Sequence, residues 1–159
     1  MNSKNLQDFI DTHHLTAAIL PMDTHTATVD EAARALDVDA EMIIKSLVFM
    51  AGEQPVLVIN NGMARVDRKK LAAYLGMSRK RVKFARAEQA QAITGYVVGS
   101  MPPFGHRQQL KTVVDHSTTM LEIVYGGGGG IDAMMRLSIS ELLTVTHAEV
   151  VDISEQSSR

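Results

Sequence analysis

Gly99-Ser100-Met101-Pro102-Pro103-Phe104-Gly105-His106, arriving directly after Tyr96-Val97-Val98, is the stretch on which the reading of this chain turns. An aromatic and β-branched run that stops at a glycine predicts a strand ending abruptly. Two successive prolines then fix φ and remove two backbone donors, and Gly105 allows a tight exit. The product is a stiff loop beside a sheet, with Phe104 and His106 held on it. Such a loop is either a plain turn or a place where backbone N–H groups hold a small ligand.

The surrounding composition narrows the choice of class. The chain has 159 residues, 45% hydrophobic and 21% charged, which is ordinary for one globular domain spanning 1–159. No apolar run approaches the length of a membrane span, and residues 1–5 lead into no signal-like core, so a cytoplasmic protein is expected. The absence of cysteine excludes disulfides, thiolate metal sites and cysteine nucleophiles. The net charge of −2 conceals a segregation. Residues 65–86 hold nine basic side chains against the single acid Asp67, a local charge of +8, and the remainder carries −10. A solvated basic face is one explanation; a partner with a phosphate backbone is the other, and it would meet Arg68, Lys69, Lys70, Arg79, Lys80 and Arg81.

Periodicity and punctuation predict the elements. An apolar stripe of Leu6, Phe9 and Ile10 predicts a helix over 3–14, and residues 17–20 a strand closed by Pro21. Thr28 and Glu31 have capping-box spacing, so a helix follows, with a shorter helical segment over 40–44. Residues 45–50 and 56–59 read as two strands joined by a turn at 52–55, and Asn60-Asn61-Gly62 gives a further hairpin signal. Asp67 caps a helix over 68–75 that Gly76 stops. An edge strand over 79–84 and a helix over 87–93 lead to the strand that opens the stiff loop. Beyond it, residues 110–115 and 121–125 read as strands, and the alternation from Ile131 to Ile139 predicts a half-buried third. Ser138 and Glu141 begin a short helix, residues 149–153 form a closing strand, and 154–159 read as a frayed tail. The class is α+β, with a mixed or mostly antiparallel, curved sheet and short surrounding helices.

The five glycines at 126–130 lack the Gly-Lys-Ser/Thr ending of a phosphate-binding P-loop. Gly128-x-Gly130-x-x-Ala133 matches a loose dinucleotide fingerprint, but an alternating strand follows where a helix is needed. The run reads as backbone able to approach a ligand closely, or as a floppy hairpin. Lys45 stands where a short helical segment meets a strand, placed either to meet a phosphate or hydroxyl as a point charge or to sit at a solvated strand edge. The six histidines show no metal-ligand spacing, so no metal and no cofactor are expected. No Gly-x-Ser-x-Gly occurs, and hydrolysis would rest on water and oriented backbone donors.

Taken together, Thr28-Val29-Asp30-Glu31-Ala32-Ala33, Ile44-Lys45-Ser46-Leu47-Val48-Phe49, Gly95-Tyr96-Val97-Val98-Gly99 with Pro103-Phe104-Gly105-His106, and the late glycines with Asp132, Leu137, Glu141 and Leu142 resemble the YbaK/ProX family of aminoacyl-tRNA editing domains. The resemblance runs over about 16–153. It implies a barrel-like α+β fold and a hydrolase that cleaves the ester of tRNA mischarged with a small amino acid such as Ala, Ser or Cys, most simply on tRNA for proline, acting in trans. It places Lys45 at the tRNA 3′ end and the amides around Gly99 and Ser100 at the aminoacyl carbonyl. Ser46, Pro103, Phe104, Gly105, His106, Gly127, Gly128 and Asp132 would complete the substrate site. Water or the substrate's own side chain attacks, and the partners implied are the mischarged acceptor end and a synthetase such as prolyl-tRNA synthetase. Two positions depart from the family pattern: Ser46 stands for a threonine and Ser100 for a glycine. Discrimination in such a pocket is about 1–3 kcal/mol per methylene, so neighbouring small substrates overlap. The alternative is a module of the same fold that binds charged tRNA or a synthetase without chemistry.

Overall fold

Short helices alternate with strands whose apolar faces close on one another in the computed structural model, which describes residues 1–26 and 28–156. The order is α1 (Ser3–Thr12), β1 (Ala18–Pro21), α2 (Val29–Leu36), β2 (Ile44–Ala51), β3 (Gln54–Asn61), α3 (Arg68–Leu75), β4 (Val82–Phe84), α4 (Ala87–Thr94), β5 (Lys111–Asp115), β6 (Ile123–Gly127), β7 (Ala133–Ser138), α5 (Ile139–Thr146) and β8 (Glu149–Val151). Single 3₁₀ turns occupy Ala40–Met42, Arg79–Arg81 and His116–Met120. The strands make an antiparallel sheet of order β1-β7-β6 and a mixed sheet of order β4-β2-β3-β5-β8. One parallel bridge, Ile43 to Tyr125, links the two, so the α+β class is as expected, while the strands form two sheets and the barrel is left unclosed.

Alternation along β2 and β3 sorts side chains onto two faces. Ile44, Val48, Leu57 and Ile59 face the larger core, with Tyr96, Phe104, Val124 and Met135. Phe49, Val56 and Val58 face a second core under α3, closed by Leu71, Ala72 and Ile153. The helix ends follow the local chemistry. Thr28 accepts from the Glu31 N–H at 3.1 Å, Asp67 accepts from the Lys69 N–H at 2.9 Å, and Gly76 closes α3 at φ 69°. Ser138 accepts from the Glu141 N–H, but the Glu141 carboxylate does not reach back to complete a box. It instead accepts from the backbone N–H groups of Thr16 and Ala17, pinning the entry to β1.

Three expectations are corrected. Residues 96–98 are not a strand. The chain leaves α4 through Gly95 at φ 88°, buries Tyr96, and turns at once, with the Ser100 N–H donating to the Val97 carbonyl at 3.1 Å. Burial of the Tyr96 ring, whose hydroxyl donates to the Gly105 carbonyl at 3.1 Å, outweighs the strand propensity of the valines, which are left about half exposed. The turn at 60–62 leads into α3 and not into a hairpin. The predicted tail is tied down as far as Glu155, whose N–H donates to the Arg65 carbonyl at 2.9 Å, and its last residues, 157–159, lie outside the described residues. Among the described residues no helix is long and apolar enough to cross a membrane.

Candidate functional site

The neighbours of β2 change partway along it, and a cavity sits at the change. At its start the strand is bridged to β6 through Ile43. From Phe49 to Ala51 it pairs with β4. Between them one edge has no strand partner among the described residues, while the other stays paired to β3 throughout. A cavity of about 420 Å³ opens on that free edge, floored by residues 43–47, with Val29 and Ala32 of α2 on one side and Gly99 and Met101 on the other. Gly127 and Met134 reach it from the antiparallel sheet.

Lys45, Ser46, Gly99 and Gly127 are therefore brought to one place from three parts of the chain. Lys45 is the one ionisable side chain lining the cavity among the described residues, and no carboxylate or imidazole lines it. The walls are otherwise mostly apolar, which suits a small acyl group with one anionic or hydroxyl-bearing end. With no carboxylate or imidazole within the lining, the usual partner that activates a serine or threonine nucleophile is missing among the described residues.

Gly99 stands at φ 97°, a conformation that side chains resist, and a Cβ there would meet open space. Its amide donates to no described residue. The Ser100 amide, expected to share in holding a carbonyl, is already bonded to Val97, and the Ser100 hydroxyl donates to the same carbonyl at 2.8 Å. Ser100 thus closes the turn from within, 3% exposed, and does not line the cavity.

The rest of the predicted set disperses. Pro103, Phe104, Gly105 and His106 line a second cavity of about 370 Å³, opposite α5. Phe104 stacks on Phe9 with centroids 5.4 Å apart, so the ring is part of the core. The His106 Nε2–H donates to the Pro102 carbonyl at 2.8 Å, which assigns the tautomer and clamps the loop. Burial pushes the His106 imidazole down to about 4, partly opposed by that hydrogen bond. His106 is accordingly neutral near pH 7 and remote from Lys45.

The glycine run approaches the protein's own backbone. A Cβ on Gly127 would fall 2.6 Å from the Met101 carbonyl carbon, and one on Gly128 would fall 2.7 Å from that of Ala133. The Gly129 N–H donates to the Ser100 carbonyl at 3.0 Å. The run stitches β6 and β7 to the stiff loop, and of the glycines singled out in it only Gly127 faces the cavity. Asp132 is exposed in the turn before β7 and lines neither cavity.

On the basic segment, Arg68, Lys69, Arg79, Lys80 and Arg81 are exposed. Lys70 is different: its ammonium pairs with Asp152 at 3.2 Å and donates to the Ser154 carbonyl at 2.9 Å, tying α3 to the end of the mixed sheet. β4 places Lys83 opposite Met50, five residues along β2 from Lys45 and hence roughly 17 Å away. Met101 and Val98 were not singled out from the sequence as cavity residues, because only the turn that buries Tyr96 orients them. Among the described residues no group of three His, Cys, Asp or Glu side chains is arranged to hold a metal ion.

Comparison with known proteins adds a family. Residues 23–145 match the model described as the aminoacyl-tRNA editing domain. The chain is 36% identical over 100 residues to the proline–tRNA ligase of Lactiplantibacillus plantarum, covering 62% of this chain and 17% of the ligase. It thus spans about a sixth of the ligase's length. It is 24% identical over 128 residues to a proposed Cys-tRNA(Pro)/Cys-tRNA(Cys) deacylase of Enterococcus faecalis, covering 80% of this chain and 77% of that one. A crystal structure of a proposed trans-editing enzyme for prolyl tRNA synthetase superposes with a TM-score of 0.88 at 29% identity, over 97% of each chain.

Proposed function

The chain belongs to the aminoacyl-tRNA editing domain family, and from that premise we propose that it is a hydrolase that removes a small amino acid from mischarged tRNA. The observation that carries this reading is the convergence of Lys45, Gly99 and Gly127 on one largely apolar cavity that no carboxylate or imidazole lines among the described residues. In this reading Lys45 meets the anionic 3′ end, and the Gly99 N–H donates to the ester carbonyl as negative charge develops on its oxygen. Water, or a nucleophilic group of the substrate itself, adds to the carbonyl carbon. The C–O bond to the ribose then breaks and the proton lost by the nucleophile passes to the ribose oxygen, leaving a free terminal hydroxyl. Attack by water releases the amino acid directly, and attack by the substrate's own group releases a cyclic ester or thioester that water opens.

Action in trans, as a protein distinct from the synthetase, is supported by the two relatives matched over most of their own length. Proline tRNA is the leading substrate because the ligase matched is specific to proline by name. A cytoplasmic setting belongs to the same reading. The exposed basic side chains along α3 and β4 would track the acceptor strand toward Lys45.

The test is deacylation of tRNAs charged with Ala, Ser, Cys, Thr, 2-aminobutyrate and Pro, with Lys45→Ala alongside. Loss of one or two small species, with Pro-tRNA spared and the variant slowed at least tenfold, is expected. Salt-dependent binding of every species without hydrolysis would replace this reading with that of a binding module.

A further inference from the structure

The free edge of β2 carries chemistry that Lys45 and Gly99 do not use, at Ser46. The Ala85 N–H donates to the Val48 carbonyl at 2.9 Å, so Val48 turns its peptide groups toward β4. Successive residues of a strand alternate in this respect, so Ser46 turns its own N–H and C=O the same way. β4 has ended by that point and the bridge to β6 lies behind at Ile43, so both groups of Ser46 turn toward the edge on which the cavity opens. The Ser46 hydroxyl is unused: it is buried and has no hydrogen-bond partner among the described residues. The hydroxyl therefore stands unsatisfied, and the N–H and C=O of the same residue turn toward a wall that is otherwise mostly apolar. Unpaired buried polar groups are costly, which is the pattern expected where a ligand completes the bonding.

We propose that Ser46 is the specificity-determining residue for the α-amino group of the substrate, which pairs with it as a single residue added to the edge of β2. In a hydrogen-bonded antiparallel pair, two residues exchange both N–H···O=C bonds. An aminoacyl ester offers the same two groups as a strand residue, an α-amine that donates and a carbonyl that accepts. The amine donates to the Ser46 carbonyl and, through a second hydrogen, to the Ser46 hydroxyl. The ester carbonyl accepts from the Ser46 N–H, with the Gly99 amide as a second donor. This assigns to the cavity a preference for α-amino acids over acyl groups of equal size, and it explains how an amine is held where no carboxylate lines the wall. It rests on the deacylase reading above.

The probe is one tRNA charged either with alanine or with propionic acid, which differs from alanine only in lacking the amine. Rates are normalised to the spontaneous hydrolysis of each ester, because the amine itself activates the bond. Loss of the donor bonds predicts a kcat/KM for the propionyl ester lower by roughly 10- to 100-fold. Ser46→Ala deletes the hydroxyl and keeps the peptide groups, so it lowers kcat/KM for the alanyl ester and narrows the alanyl-to-propionyl ratio. It also raises the thermal midpoint of the free protein, since an orphaned hydroxyl is removed, which a merely structural serine would not do. Equal normalised rates for the two esters in the wild-type protein, or a ratio unmoved by Ser46→Ala, would overturn the inference while leaving the deacylase reading intact. Failure of the wild-type protein to hydrolyse any small aminoacyl ester would overturn both.

Discussion

Gly127→Ala is the substitution whose consequence the structure states most sharply. The new methyl would overlap the Met101 carbonyl oxygen, lie 2.6 Å from its carbon and 2.8 Å from the Ser100 carbonyl carbon. These are backbone atoms of a loop stiffened by Pro102 and Pro103, so relief requires the loop to move as a unit by something near an ångström. Overpacking of that kind costs about 1–3 kcal/mol. For a chain of this length it lowers the thermal midpoint by roughly 2–12 °C. The larger effect falls on catalysis. Gly99 precedes the displaced residues by one position, and misplacing a catalytic group by about 1 Å costs on the order of 100-fold in rate. Gly126→Ala is the matched control, because its methyl would meet the Ile44 side chain at 3.2 Å and that flexible group can yield. Thermal unfolding and single-turnover deacylation of both variants test this. A Gly127→Ala protein with unchanged midpoint and rate would show that the glycine is not there to admit the Met101 backbone.

Other expectations follow from single contacts. His106 is held neutral by burial at about 4, below the ordinary imidazole value, so the unfolded chain takes up a proton first as pH falls. Its contribution is fully present above pH ~6.5 and is lost as pH drops toward ~4, on the order of 3 kcal/mol in all. Urea midpoints measured across that window should fall for the wild-type protein and less steeply for His106→Gln; parallel curves would remove His106 as the cause. Replacing the exposed Arg79, Lys80 and Arg81 by Gln should weaken tRNA binding and flatten its dependence on salt by up to ~3 in the log–log slope. An unchanged slope would return that cluster to the solvent. Lys70→Ala should instead lower stability through the lost tie to Asp152 and the Ser154 carbonyl, with little change in the salt slope.

Local chemistry made most of the fold legible in advance. Asp67 and Gly76 bounded α3 because a carboxylate at one end and a left-handed residue at the other are needed for that helix alone. The alternation ending at Ile139 marked β7 because one of its faces is buried. What escaped the sequence depends on partners distant along the chain. Tyr96-Val97-Val98 carries strand residues, yet no strand is available beside it and the Tyr96 ring is drawn into the core. Likewise, Pro103, Phe104, Gly105 and His106 follow Gly99 closely, but the turn at Ser100 and the clamp from His106 to Pro102 carry them to the opposite cavity. Lys45, Ser46, Gly99 and Gly127 could be proposed together from motifs. The free edge that makes them a site exists only because β4 stops pairing short of Ser46.

Where the acyl group binds decides most directly between the two cavities. A crystal structure with a non-hydrolysable 3′-alanylamino-adenosine should place the alanyl group against residues 45 and 46 of β2, with its carbonyl toward Gly99. Density for that group in the cavity beside Phe104 and His106, with the Lys45 cavity empty, would contradict it.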